Sequence, residues 1–405
     1  MLLLKIAFRN IFRQKRRSIL TGLSMFGGFV MAAVFIGWAD GSYNGIIDDF
    51  TRHNFGHIQI HARNYLDRPS LYKTIDRYQE VKKRLQSLAE IDSFAPRVYS
   101  AGLASVGEKS TGVRIIGIHP ERENQTTVFS SKVAAGTFLS TEPNREALLG
   151  KELAKALEAG LGDDIVIISQ GADGSIANDL YRIVGIVDSG DPLTDRSSFY
   201  LHIADARELL VLGERVHEVA INIGHLDRVT EMTDVISRKI DDPDLEVAPW
   251  QVFARSFYLA MKADMEGMWI SLFVIVLIVS VGVLNTVLMS VLERTREYGV
   301  LKAIGTKPGQ IVKLVLTEVN ILAIFSIVLG FGVGLLINSI LAQHGIDLGL
   351  EFSYGGMTFE SFKAEINARS FYIPALTIFL SAALVGFFPA LKAARTDAAK
   401  SMRTH

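Results

Sequence analysis

Four long apolar runs constrain this chain more than any other feature. They cover residues 18–39, 267–292, 314–342 and 370–391. A helix crosses a bilayer with about 20 mostly apolar residues, so each run is long enough to span. The first, second and fourth hold no charged residue. The third holds only Glu318, near its start, where the side chain is expected to reach the interface. Within lipid every backbone polar group must be bonded internally, which makes helices the expected form. Composition agrees, since 49% of the residues are hydrophobic and the formal net charge is −1.

Basic residues collect on the cytoplasmic side of a membrane, and that rule sets the orientation. Lys5, Arg9, Arg13, Lys15, Arg16 and Arg17 precede the first run, and Arg294, Arg296, Lys302, Lys307 and Lys313 follow the second. Lys392, Arg395, Lys400 and Arg403 follow the fourth, whereas residues 343–369 hold only Lys363 and Arg369. Both termini are therefore expected inside and residues 40–266 outside. The expected order is an amphipathic cytoplasmic helix (1–17), the first span (18–39), a large outer domain (40–266), the second span (267–292), a cytoplasmic segment (293–313), the third span (314–342), a short outer loop (343–369), the fourth span (370–391) and a tail (392–405). The first run exceeds the roughly 7–15 residues of a signal-peptide core, so it reads as an uncleaved anchor.

The outer segment mixes two periodicities. Residues 56–62, 112–118, 164–169, 181–188 and 217–223 alternate like strands. Residues 74–90, 151–160, 204–212 and 226–240 carry amphipathic helix patterns. The fold class expected is an α-helical membrane protein with four transmembrane helices and a large α+β extracytoplasmic domain, with room for two lobes, between helices 1 and 2. No Gly/Ser-rich linker separates domain from membrane, so the first two spanning helices are expected to continue outward as stalks. The absence of cysteine excludes disulfides and zinc–thiolate sites.

Motifs of catalysis are missing. "AIGTKPGQ" lacks the Gly-Lys-Ser/Thr ending of a phosphate loop, and neither G-x-S-x-G nor His-Glu-x-x-His occurs. His53, His57 and His61 have no clustered carboxylate beside them and read as surface histidines, so no metal is expected. Ser24 with Gly28, and Gly330 with Gly334, have the small-xxx-small spacing of close helix packing, although glycine is also simply common in spans. Asn285 in the second span needs a polar partner, and a helix–helix contact is expected. "LLLKIAFRNIFRQKRR" sets Lys5, Arg9, Arg13 and Arg16 opposite Leu4, Phe8, Ile11 and Phe12, the pattern of a helix lying in the interface against anionic lipid.

Between the second and third runs stands "LERTREYGVLKAIGTKPGQ", charged and helix-forming. Gly299 and Gly305 mark a break or a close approach, and Thr306 before Pro308 fits a new helix start. The stretch reads as a stiff elbow shaped to meet something.

"NTVLMSVLERTREYGVLKAIGTKPGQI" resembles the cytoplasmic signature of the ABC-transporter permeases of the FtsX/MacB-like superfamily. Lipoprotein-releasing (LolC/LolE-type) subunits, MacB-type exporters and FtsX-type proteins belong to it. "LKIAFRNIFRQKRRSIL" resembles the family's amino-terminal helix, and "EALLGKELAKALEAGLGDDIVIIS" with "YRIVGIVDSG" resembles the core of its outer domain. The lipoprotein-releasing branch fits best. The resemblance implies a permease in the bacterial inner membrane with its large domain periplasmic. By the same resemblance it would not itself be an enzyme and would bind no cofactor, and ATP and Mg would belong to a cytoplasmic ABC ATPase dimer. Further partners implied are a second permease subunit of the same or a related chain, acylated lipoprotein cargo, a periplasmic carrier and membrane lipid, with no nucleic acid.

Glu293, Arg294, Glu297, Gly299, Lys302, Ala303 and Gly305 would form the ATPase-coupling segment, and ATP-driven closure would push the second span. Extraction of lipoproteins from the outer leaflet would follow; relay of a signal to a periplasmic hydrolase, or export of small amphiphiles, are the alternatives. Phe29, Val34, Phe35, Trp38, Trp269 and Phe273 would line an acyl site where the outer halves of the first two spans meet their counterparts. Where the carrier-recruiting member of the branch has an extended proline-bearing hook, this chain has the short turn "QGADGSIAND", which puts carrier capture in question.

Overall fold

A computed structural model describes residues 2–13, 15–346, 352–354, 357–359 and 362–395, with side chains for 5–13, 15–346 and 362–395. Lys400 and Arg403 of the tail, Leu4 of the amino-terminal face as a side chain, and part of the 343–369 loop lie outside that description. The chain divides into two compact units. One comprises residues 1–45, 261–349 and 361–405, and the other comprises 46–260 and 350–360.

The first unit is helical. An amphipathic helix, Leu2–Arg13, is followed by four helices long and apolar enough to cross a membrane: Lys15–Asn54, Arg255–Glu293, Pro308–His344 and Arg369–Arg395. The first of them, at 40 residues, is roughly 60 Å long and continues well beyond the 18–39 run. Its core follows four-residue rows, as ridge-into-groove packing requires. Met25, Phe29 and Ala33 meet Val283, Val287 and Val291, with Ile311, Val315, Val319 and Ala323 of the third helix and Ile378, Ala382 and Ala390 of the fourth.

The small residues sit where side chains of a facing helix press in. A Cβ at Gly28 would overlap Val279, and one at Gly330 would fall 2.7 Å from the Phe29 ring. Gly334 faces Ala33, and Ser24 faces Gly282. Polar stitches join the third helix to the first: Ser326 Oγ donates to Gly22 O (2.9 Å) and Asn338 Nδ2 to Ala33 O (3.1 Å). Asn285 makes no such contact within this chain. Its side chain is exposed, with no hydrogen bond to any described residue, because the second helix turns its Val283–Val287–Val291 row inward instead.

The second unit is built on one ten-stranded mixed sheet, so the two-lobed arrangement is not realised as two separate sheets. Its strands are β1 (Ile58–Ala62), β2 (Ile91–Val106), β3 (Lys109–Ile118), β4 (Val133–Gly136), β5 (Glu146–Gly150), β6 (Asp164–Gln170), β7 (Ile176–Val187), β8 (Ser198–His202), β9 (Glu218–Ile223) and β10 (Leu245–Pro249). The order is β10-β1-β9-β2-β3-β8-β5-β7-β4, with β6 bonded to both β2 and β7. Only β3–β8 and β5–β7 run parallel. Helices Tyr78–Gln86, Lys151–Leu157, Ile203–Leu209 and Val229–Ile240 supply apolar side chains that are buried.

The β6–β7 turn is tight. Gly171 N–H donates to Ser175 O (2.9 Å), Asp173 accepts from Ser175 N and Oγ, and Gly174 takes φ +84°. His57 and His61 are not surface residues: both side chains are enclosed. His57 Nδ1 accepts from Ile223 N–H (3.2 Å), which leaves Nε2–H to donate to Asp48 Oδ1 (2.9 Å). His61 Nε2 meets Gln59 Oε1 at 2.9 Å. The His57 ring bonds two other chain segments, whereas His61 bonds Gln59 of its own strand and stacks on Tyr65; no cluster of metal-type ligands occurs among the described residues.

Candidate functional site

The elbow after the second spanning helix is held by a buried ion network. The second helix stops at Glu293 because Arg294 leaves helical geometry (φ −95°, ψ 10°), and a short helix, Thr295–Ala303, begins directly after it. Gly305 ends that helix in a left-handed conformation (φ +98°) open to glycine without strain. Its N–H donates to Lys302 O and the Thr306 N–H to Leu301 O, closing the carbonyl end. The next helix starts with Pro308 in its first turn, its cap at Lys307, whose N–H donates to Gln310 Oε1 (3.0 Å).

Arg294 is the hub. Its side chain is buried, donating from Nε to Glu297 Oε2 (3.0 Å) and from Nη1 to Glu318 Oε2 (2.9 Å), and its guanidinium lies 5.4 Å from the Tyr298 ring centre. Glu318 also accepts from Asn10 Nδ2 (2.6 Å). Thus the lone acid of the third span is turned onto its own chain, because a buried guanidinium demands a carboxylate. Glu293 pairs with Arg17, and Glu297 faces Arg13 at 3.6 Å. Lys302 Nζ donates to Ala394 O (3.1 Å), tying the elbow to the end of the fourth helix. Tyr298 and Gly299 are buried beneath.

The coupling residues read from the sequence therefore divide. Glu293, Arg294, Glu297, Gly299 and Lys302 are turned toward their own chain, and Gly305 shapes the exit. Ala303 is exposed, and with it stand Arg296, Val300 (45% exposed) and Ile304 (75% exposed), one helical turn apart. Val300 and Ile304 were missed by sequence reasoning. The available signal was two large apolar residues four apart on the side opposite Tyr298. Asn10, Arg17 and Tyr298 were also missed as members of the clamp.

The residues read as an acyl site have different surroundings within this chain. Phe29 is sealed in the helix core against Gly330, since the helix row 25–29–33 faces inward. Val34 and Phe35 are half-buried. Trp38 presents its ring to Phe362 (6.4 Å, edge-on), Trp269 lies under the Arg369 guanidinium (5.2 Å), and Phe273 is 65% exposed.

The pattern of the MacB-like periplasmic core domain matches residues 18–238, more than half of the chain, and that of the FtsX-like permease C-terminal domain matches residues 269–398. The chain belongs to the FtsX/MacB-like permease family. Relatives of this permease include the lipoprotein-releasing system transmembrane protein LolC of Neisseria meningitidis, 24% identical over 60% of each chain. An uncharacterized ABC transporter permease of Methanocaldococcus jannaschii is 19% identical over 99% of this chain and 97% of that one. The macrolide export ATP-binding/permease protein MacB of Campylobacter jejuni is 23% identical over 97% of this chain and 60% of that protein. The matches to LolC proteins span 58–60% of those relatives' length. This permease is thus an ABC-transporter membrane component with an outer α/β domain of the MacB-like type.

Proposed function

We propose that this permease works with a separate ATPase to extract lipoproteins from the outer leaflet of the inner membrane, with both termini cytoplasmic and residues 46–260 periplasmic. The observation that carries the reading is the two-sided elbow. One side is tied to three other helices, through Arg294 to Glu318 of the third spanning helix, Lys302 to Ala394 of the fourth, and Glu297 to Arg13 of the amino-terminal helix, and the other presents Arg296, Val300 and Ile304. Exposed apolar residues rimmed by charge suit a protein partner. A push on that face is passed to the spanning helices, because the clamp leaves the elbow little independent freedom. ATP and Mg act on the partner, and a second permease subunit completes the assembly. The LolC relatives support lipoprotein cargo. Export of small amphiphiles is the second reading, favoured by the MacB match along 97% of the chain.

Mass spectrometry of the gently solubilised native complex separates these. An ATPase with triacylated lipoproteins is the expected composition and gives the permease stoichiometry. An ATPase with small amphiphiles and no acylated protein moves the assignment to export, and a hydrolase-like outer partner without cargo moves it to signal relay.

A further inference from the structure

The outer unit encloses a second feature that the elbow does not use. A cavity of about 220 Å³ opens beside the last turn of helix Lys15–Asn54, between β2, β3 and residues 129–132. Its wall is aromatic, with Phe55, Tyr99 and Phe129 among the lining residues, and it is also charged.

Donor and acceptor bookkeeping shows which charges are already committed. Arg97 is engaged at all three of its nitrogens: it grips Glu123 through Nε and Nη2 (3.0 and 2.6 Å), Glu218 through Nη1 (2.9 Å) and Asn54 O through Nη2 (3.1 Å). Glu123 accepts in addition from Thr127 Oγ1 and Glu218 from Tyr99 Oη. Asp191 at the rim accepts from Leu193 N, Thr194 N and Thr194 Oγ1. Every acid lining the cavity is therefore satisfied from within the fold.

Two cations are not. Lys132 Nζ donates to His53 O (2.7 Å) and Asn54 Oδ1 (2.8 Å), which uses two of its three hydrogens and gives it no carboxylate. The Arg114 guanidinium stacks 4.6 Å above Tyr99 and takes no acceptor among the described residues. An ammonium with a spare donor and a guanidinium on an aromatic shelf line the same cavity.

We propose that this cavity binds a small organic anion, a carboxylate or phosphate carried on a compact apolar body. The anion would bridge Arg114 and Lys132, and the apolar body would lie against Phe129 and Phe55. The volume is below the roughly 300–1,000 Å³ of sites for drug-sized ligands, which limits the occupant to a head group or a small acid. Lys132 also holds the His53 carbonyl and the Asn54 side chain at the end of the long helix, so an occupant alters the hold on that helix end. The proposal stands apart from the cargo reading and does not depend on the ATPase.

The test is calorimetric titration of the full chain in lipid nanodiscs with phenyl phosphate, benzoate and inorganic phosphate. Saturable binding is expected. Arg114→Gln, an exposed substitution that does not threaten folding, should weaken it about tenfold or more, as loss of a charged hydrogen bond does. Lys132→Gln should act likewise, and Arg63→Gln, an exposed cation elsewhere in the unit, should leave it unchanged. Tighter binding of phenyl phosphate than of inorganic phosphate assigns the site to an organic anion, and equal binding assigns it to free phosphate. Absence of saturable binding with all three probes, or equal affinity in Arg114→Gln and Arg63→Gln, overturns the proposal.

Discussion

Glu318 illustrates how much one side chain can hold. Its carboxylate is shared by Arg294 and Asn10, and removing it leaves a buried guanidinium short of a partner. Glu318→Ala is expected to destabilise the helical unit by about 3–5 kcal/mol, and Arg294→Met in the same chain to restore much of the loss, because replacing both charges removes the uncompensated one. Thermal unfolding of the single and double variants in detergent checks this; equal losses in both would remove the pair from the account. Lys132 gives a second residue-scale expectation. Burial pulls its amine down to about 8, the neighbouring Arg97 charge adds to this, and Glu123 and Asp195 work against it. The folded value lies below the ordinary ~10.4, so between those two values the unfolded chain binds more protons and stability rises with pH. Wild type should therefore gain on Lys132→Met between pH 8 and ~10.4, by at most ~3 kcal/mol. Denaturation followed by Trp250 fluorescence, with Trp38 and Trp269 replaced by Phe, measures the gap. Parallel pH profiles would refute it.

At the scale of elements, the elbow makes a directional prediction. Ile304→Asp alters a mostly exposed side chain and Val300→Asp one about half exposed, so the bundle should keep most of its thermal stability while ATPase stimulation in the assembled complex falls by tenfold or more. Unchanged coupling in both variants would show that the partner docks elsewhere. The spanning helices were readable from sequence because lipid imposes both length and apolarity on them. Strands such as β9 were readable from alternation, but β2, the longest, was not. Pro96 lies inside it opposite Val219, and Gly102 and the small residues around it blur the pattern. The elbow was readable as a charged insertion, yet the direction of its side chains was not. Arg294 and Arg296 look equivalent in the chain, and two residues on a helix separate them by more than half a turn, one buried and one exposed. His57 was misread for a similar reason, since only tertiary partners such as the Ile223 amide make a buried imidazole inexpensive.

For the whole molecule, Asn285 poses the open question of what completes the helical unit. Its amide lies within an apolar span, is exposed on this chain and bonds to no described residue. A side-chain amide facing hydrocarbon is costly, and across a helix–helix interface it finds a hydrogen-bonding partner. The face bearing Asn285 is accordingly expected to lie against another permease subunit. Because the sequence has no cysteine, Asn285→Cys would be the only thiol in the protein, and an oxidant could join it only to another chain. If the permease pairs with itself through this face, mild oxidation in native membranes should convert most of the protein to a disulfide dimer. A control cysteine at Phe325, exposed on the third spanning helix, should remain monomeric. If the partner is a different subunit, Asn285→Cys should stay monomeric alone yet form a mixed disulfide when that subunit carries the matching cysteine. Failure of both would mean that the amide faces lipid, and the expected pairing through the second helix would have to be abandoned.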